Sequence, residues 1–126
     1  MDFILQLLFI LFLIWLTIRW FYPVKGLTNI SVSEAQDKMK DENVVFIDVR
    51  TPEEFKSNHV KPFKNIPLAF LQTKVDRFNK DQEIVLICQS GMRSRQAAKQ
   101  LIKMGYKKVF NIRGGMNAWA GKLCER

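Results

Sequence analysis

"VLICQSGMRSR" runs from Val85 to Arg95, and its reading decides how the chain folds. An apolar run that starts just after Glu83 ends on a cysteine and passes directly into a turn holding a glycine and two arginines. A short, continuous apolar run is what a strand buried on both faces requires. The next segment, "SRQAAKQLIKMG", sets Ala97, Ala98, Leu101 and Met104 on one helical face, with Gly105 at its end. The stretch is therefore predicted as strand, turn and helix. Cys88 ends the strand, and the helix begins near Arg93.

The same alternation extends outward. "TNIS" (28–31), "VVFIDV" (44–49), "NIP" (65–67), "EIVLIC" (83–88) and "KKVFNI" (107–112) read as strands. "VSEAQDKMK" (32–40) reads as a helix capped by Ser31 or Ser33, with Glu34 early in its first turn. "PEEFKSN" (52–58) is a short helix with Pro52 at its first position. "LAFLQTKVDRF" (68–78) is amphipathic, and "GGMNAWAGKL" (114–123) supplies a last turn or two of helix. Strands alternating with helices predict an α/β domain around a mainly parallel, five-stranded sheet.

Ligands of open α/β sheets bind beyond the carboxyl ends of the strands. Asp48 and Cys88 both end buried strands, so both are expected on one rim. After Cys88 the turn through Gln89, Ser90, Gly91 and Met92 can point its amides inward as a nest, reinforced by the helix dipole. Such surroundings stabilise an anion on sulfur and lower the pKa of the thiol. Gly91 permits the tight curvature. A buried cysteine in an ordinary turn is the plainer alternative; strand, glycine and arginine together favour a reactive thiol.

Composition narrows the function. With 126 residues, 48% of them hydrophobic, the chain builds one domain. Its formal charge is +8, and Asp2 and Arg19 in the N-terminal segment cancel, so the excess belongs to the globular part. A basic surface suits anionic substrates or anionic lipid headgroups. The cations are scattered singly and in pairs, which argues against nucleic acid as a partner. Cys88 and Cys124 are the two cysteines, which suits a reducing compartment better than a disulfide framework. A single histidine is too few for a zinc site with these cysteines, and no metal or other cofactor is expected.

"FILQLLFILFLIWLTIRWFY" (3–22) is apolar apart from Gln6, Thr17 and Arg19. Twenty helical residues span about 30 Å, the thickness of a bilayer's hydrocarbon core. Arg19 lies where it can snorkel, Trp20 to Tyr22 form an aromatic end, and Pro23 stops the helix. A cleaved signal would want a cationic start and a small-residue cleavage site, whereas this segment begins with Asp2. The expectation is a single transmembrane helix at 3–22, a linker at 23–27 and a domain at 28–126. Arg19 and Lys25 flank the C-terminal end of the span, which puts the N-terminus outside and the domain in the cytoplasm.

Three segments, in order, resemble the rhodanese (thiosulfate sulfurtransferase) domain. "CQSGMRS" is similar to its active-site loop, with Cys-x-x-Gly-x-Arg spacing. "DVRTPEEFKSNHV" resembles its N-terminal signature, and "VFNIRGGMNAW" its C-terminal one. Asn58 stands where a glycine is usual before the histidine, and "KPFKNIP" replaces a more common Pro-Gly-Ala run. The resemblance covers residues 28–123 and implies a three-layer rhodanese-like fold. It implies that the Cys88 thiolate takes sulfur from thiosulfate or another sulfane donor and passes it, through a persulfide, to a thiol or cyanide acceptor. A protein acceptor is one such partner. The loop residues Gln89, Ser90, Gly91, Met92, Arg93 and Ser94 would hold the persulfide. Asp48, Arg50 and Glu53 would organise the rim. Arg93 either meets the donor or pairs with Asp48 or Glu53.

Other readings compete. A cysteine-dependent phosphatase or an arsenate reductase is one alternative: such phosphatases use Cys-x5-Arg around a phosphate, whereas four residues separate Cys88 from Arg93, a loop better suited to one sulfur atom. A membrane-tethered persulfide carrier without steady turnover is the second hypothesis. His59 is expected to bond nearby backbone, Trp119 to pack in the core, Arg95 to be a solvated helix residue and Cys124 to be a bystander thiol.

Overall fold

The computed structural model describes residues 2–21, 26–75, 78–119 and 124–125. Five parallel strands form the central sheet: β1 (Leu27–Ile30), β2 (Val45–Asp48), β4 (Lys64–Asn65), β5 (Glu83–Ile87) and β6 (Lys108–Ile112). Their order is β1-β6-β5-β2-β4. A separate antiparallel pair joins β3 (Asn58–His59) to β7 (Cys124–Glu125). The predicted parallel sheet flanked by helices is what forms.

Alternation along the strands builds two cores. Ile84 and Leu86 of β5 point to one face with Ile47, and meet Ala97, Ala98 and Leu101 of α5 (Met92–Lys103). Val85 and Ile87 point to the other face with Phe46, and meet Ala35 of α2 (Val32–Lys38) and Met116 of α6 (Gly115–Ala118). A strand buried on both faces must be apolar at every position, which is why "IVLI" is continuous. Trp119 lies in the second core, edge-on to Phe63, as expected.

Local chemistry sets the element ends. Ser31 caps α2 in a capping box with Glu34. Thr51 does the same for α3 (Pro52–Ser57) with Glu54, and Pro52 opens the helix. β1 starts at Leu27, inside the expected linker. β4 covers Lys64–Asn65 and not 65–67; beyond it the Ile66 and Leu68 amides still donate to the Asp48 and Val49 carbonyls, so Pro67 falls at a position facing the open edge. The amphipathic stretch divides into a 3-10 turn, Leu68–Phe70, and a short α4, Leu71–Lys74, before Asp76 and Arg77, which lie outside the described residues. Helix α5 starts at Met92, within a residue of the expected start near Arg93, because Gly91 takes a left-handed conformation (φ 103°) that turns the chain into the helix at once.

Helix α1 (Asp2–Phe21) stands apart from both cores. Residues Asp2–Trp20 have a mean hydropathy of 2.1, and none of that stretch is buried. It is the one helix among the described residues long and apolar enough to cross a membrane. Arg19 lies over the Trp15 ring, 5.5 Å from its centroid. The expected stop at Pro23, with Tyr22 and most of the linker, lies outside the described residues.

Candidate active site

Cys88 follows β5 directly and is fully buried. Its Sγ accepts a hydrogen bond from the Gly91 amide at 2.9 Å and lies 3.3 Å from Ser94 Oγ, one turn into α5. The sulfur therefore sits at the mouth of a helix, in the curl of a five-residue turn. Burial pushes the thiol pKa up. The Ser94 hydroxyl and the amides of Ser94, Gly91 and Ser90 push it down, and they prevail, so the net direction is downward.

The turn is held from behind by residues 114–117. Gly114 and Gly115 both have positive φ, at 76° and 54°. A Cβ on Gly115 would lie 2.2 Å from the Cys88 carbonyl oxygen, so only glycine lets the two backbones approach this closely. In return the Met116 amide donates to the Cys88 carbonyl (2.8 Å), and the Asn117 amide donates to that of Gln89 (3.0 Å). The Gln89 side chain donates to Asn117 Oδ1 at 2.7 Å. Ser90 and Met92 face outward, Met92 being 74% exposed.

Two ion pairs stiffen the rim. Asp48 and Arg50 are both buried, and the guanidinium of Arg50 grips the carboxylate of Asp48 at 2.8–3.0 Å. Arg50 also donates to the Asn58 carbonyl (2.7 Å) and reaches Gln89 Oε1 (3.4 Å), which ties β2 to the start of β3 and to the cysteine turn. Arg93 makes a two-pronged pair with Glu54, at 2.7 and 2.9 Å. The expected partners were Asp48 or Glu53. Asp48 is taken by Arg50, and Glu53 is exposed on the outer side of α3. The capping box explains the choice. Glu54 stands at the third helical position, where its carboxylate already turns back to accept from Thr51, and that places it against α5. The hydrogen bonds from Arg93 hold the Glu54 carboxyl at about 2, against an ordinary 4.5.

Asn111 of β6 was not singled out in the sequence. Its Oδ1 accepts from the Ser94 hydroxyl, and its Nδ2 donates to the Gly91 carbonyl (3.3 Å) and to Asn29 Oδ1 (3.2 Å). The available signal was an amide inside the otherwise apolar "VFNI". His59 bonds the Phe55 carbonyl through Nδ1 (2.9 Å) and stacks on the Phe55 ring, the fold role expected of it. Arg95 is partly buried and makes a partnered contact, so the expectation of a solvated residue is too simple. For Cys124 only the backbone is described, opposite His59.

The Rhodanese-like domain profile matches residues 31–122. The chain belongs to the rhodanese-like family. It is 37% identical over 98 residues to a protein of Bacillus subtilis named putative sulfur carrier protein YrkF; the match covers 77% of this chain and 53% of that protein, so the chain spans about half its length. It is 36% identical over 90 residues to a protein of Allochromatium vinosum named sulfurtransferase, covering 71% of this chain and 84% of the relative. A rhodanese-like domain protein from Staphylococcus aureus superposes with a TM-score of 0.71 at 29% identity, covering 79% of this chain and 98% of that one. In this rhodanese domain the three sequence signatures converge in space: Cys88 with its turn, Glu54 on α3, and Gly115 behind the turn.

Proposed function

We propose that this chain is a sulfurtransferase that carries sulfur as a persulfide on Cys88. The observation that carries the reading is a buried thiol in a short turn, with an amide 2.9 Å from sulfur. The thiolate attacks the outer sulfur of thiosulfate or a related sulfane donor. The donor's S–S bond breaks, and its electron pair leaves with sulfite or the equivalent group. An acceptor thiol or cyanide then attacks the terminal sulfur, and Cys88 departs as thiolate, which is ping-pong covalent catalysis. The turn from Gln89 to Ser94 holds the anion through its amides. Asp48, Arg50 and Arg93 organise the rim, since the forks of both arginines are engaged by carboxylates. Glu54 takes the organising role first considered for Glu53.

Loading with thiosulfate tests this. Intact mass should rise by about one sulfur atom, and the increase should vanish in Cys88→Ser. No adduct on the wild-type chain, or robust hydrolysis of aryl phosphates, would overturn it. Relatives named for both sulfur carriage and sulfur transfer support two versions of the same chemistry. Steady thiosulfate:cyanide turnover marks the enzyme, whereas a single loading event without turnover marks a carrier.

We further propose that residues 3–22 anchor the domain, which begins with β1 at Leu27, through the short linker before it, with the domain on the cytoplasmic side. The exposed apolar helix and its C-terminal cations support this placement.

A further inference from the structure

Ser94 has one hydroxyl proton and two claimants for it. Asn111 Oδ1 can only accept, and Cys88 sulfur accepts once it is ionised. The orientation of the Asn111 amide is fixed by its other end. Nδ2 donates to the Gly91 carbonyl, which cannot donate in return, and to Asn29. Oδ1 therefore faces Ser94, and Ser94 must give it the proton. With that proton committed, Ser94 Oγ presents a lone pair to Cys88 Sγ, 3.3 Å away. The resting arrangement is then a relay in which the Cys88 thiol donates to Ser94 and Ser94 donates to Asn111. All three side chains are buried, Asn111 being 5% exposed, so water does not substitute for a missing donor.

We propose that Asn111 is a positioning residue that sets the direction of the Ser94 hydroxyl: it holds the resting thiol in the accepting arrangement, and the hydroxyl turns to the sulfur only when Cys88 is ionised or carries a persulfide. The step is a rotation about the Ser94 Cβ–Oγ bond. One hydrogen bond, to Asn111, exchanges for one to sulfur, with no change in proton count at Ser94. Asn111 thus opposes thiolate formation, whereas the amide of Gly91 favours it. The charged groups on the surrounding elements are Arg93 of α5 paired with Glu54 of α3, Asp48 paired with Arg50, Arg95 in the first turn of α5 and Arg113 just past β6; Arg93 also acts on Cys88 through its charge, and neither carboxylate pair contacts the Asn111 amide. The inference rests on Cys88 being the reacting thiol, but its test reads thiol ionisation and not sulfur transfer.

The experiment is the pH dependence of iodoacetamide alkylation in the full chain carrying Cys124→Ser, so that Cys88 alone reports. Asn111→Leu, close to isosteric, should lower the Cys88 midpoint and raise alkylation several-fold below the wild-type midpoint. Ser94→Ala should raise the midpoint. In the Ser94→Ala background, Asn111→Leu should have no further effect, because Asn111 acts only through that hydroxyl. A rise in midpoint with Asn111→Leu, or an equal effect in both backgrounds, would overturn the proposal and make Asn111 a tie for the turn. Should Asn111→Leu fold poorly, the infrared S–H band of the protonated chain decides. It should lie at lower frequency with Ser94 than with Ser94→Ala; identical bands would overturn the relay. Loss of sulfur transfer with these shifts intact would count against the proposed function alone.

Discussion

Cys88 sits where water is excluded, and a thiolate there is destabilised unless donors surround it. The turn supplies those donors, and the net direction of the thiol pKa is downward. Alkylation of the Cys124→Ser chain should therefore show a midpoint below that of a free thiol, about 8.5. His59→Ala should leave that midpoint in place, since the imidazole is spent on Phe55. Glu54 gives a second prediction. Its carboxyl is depressed to about 2, so its contribution to stability is full above the ordinary 4.5 and is lost as pH falls toward 2. Glu54→Gln should flatten the acid limb of a Tm-against-pH profile in that window. Cys88, Asp48 and Gly91 were legible because each stands at a strand end or a tight turn. Glu53 was read as the organising carboxylate and Glu54 was passed over, since adjacent helical residues point about 100° apart and only the cap decides which faces the partner.

The strand–turn–helix around Cys88 is only as rigid as the glycine pair behind it. Gly115→Ala would drive a methyl into the Cys88 carbonyl, where backbone meets backbone and neither side yields easily. We expect a loss of roughly 3 kcal/mol in denaturant unfolding, together with a Cys88 midpoint displaced upward as the Met116 and Asn117 bonds lengthen. Ala118→Gly, one turn away on an exposed face, should change that midpoint little. The sequence made the five strands and the long α5 legible, because apolar runs and a 3.6-residue period are local signals. It did not give the contact between residues 114–117 and the cysteine turn, whose bonds join residues 28 positions apart through backbone atoms that leave no mark on residue type. Asn111 escaped notice for a related reason: its partners lie on β1 and α5, which pattern alone does not bring together.

At the scale of the molecule, the alternation of elements announced an α/β sheet, but its order β1-β6-β5-β2-β4 is a matter of which edges meet, and periodicity is silent on that. The proposed anchor predicts that the full chain sediments with membranes and resists extraction by salt or carbonate, whereas a chain beginning at Lys25 stays in the supernatant and unfolds cooperatively. Full-length protein soluble without detergent would count against the span, and protease access from the outer face against its orientation. The five strands all run one way. The chain coming from α1 enters the sheet at the start of β1, while Cys88 lies past the far end of β5. Strands of four and five residues, at about 3.3 Å each, set these points roughly 13–17 Å apart along the strand direction. Under the proposed anchoring, the chain would come from the membrane into the end of the sheet where β1 begins, and a sulfur donor or acceptor would meet Cys88 at the end where the strands finish.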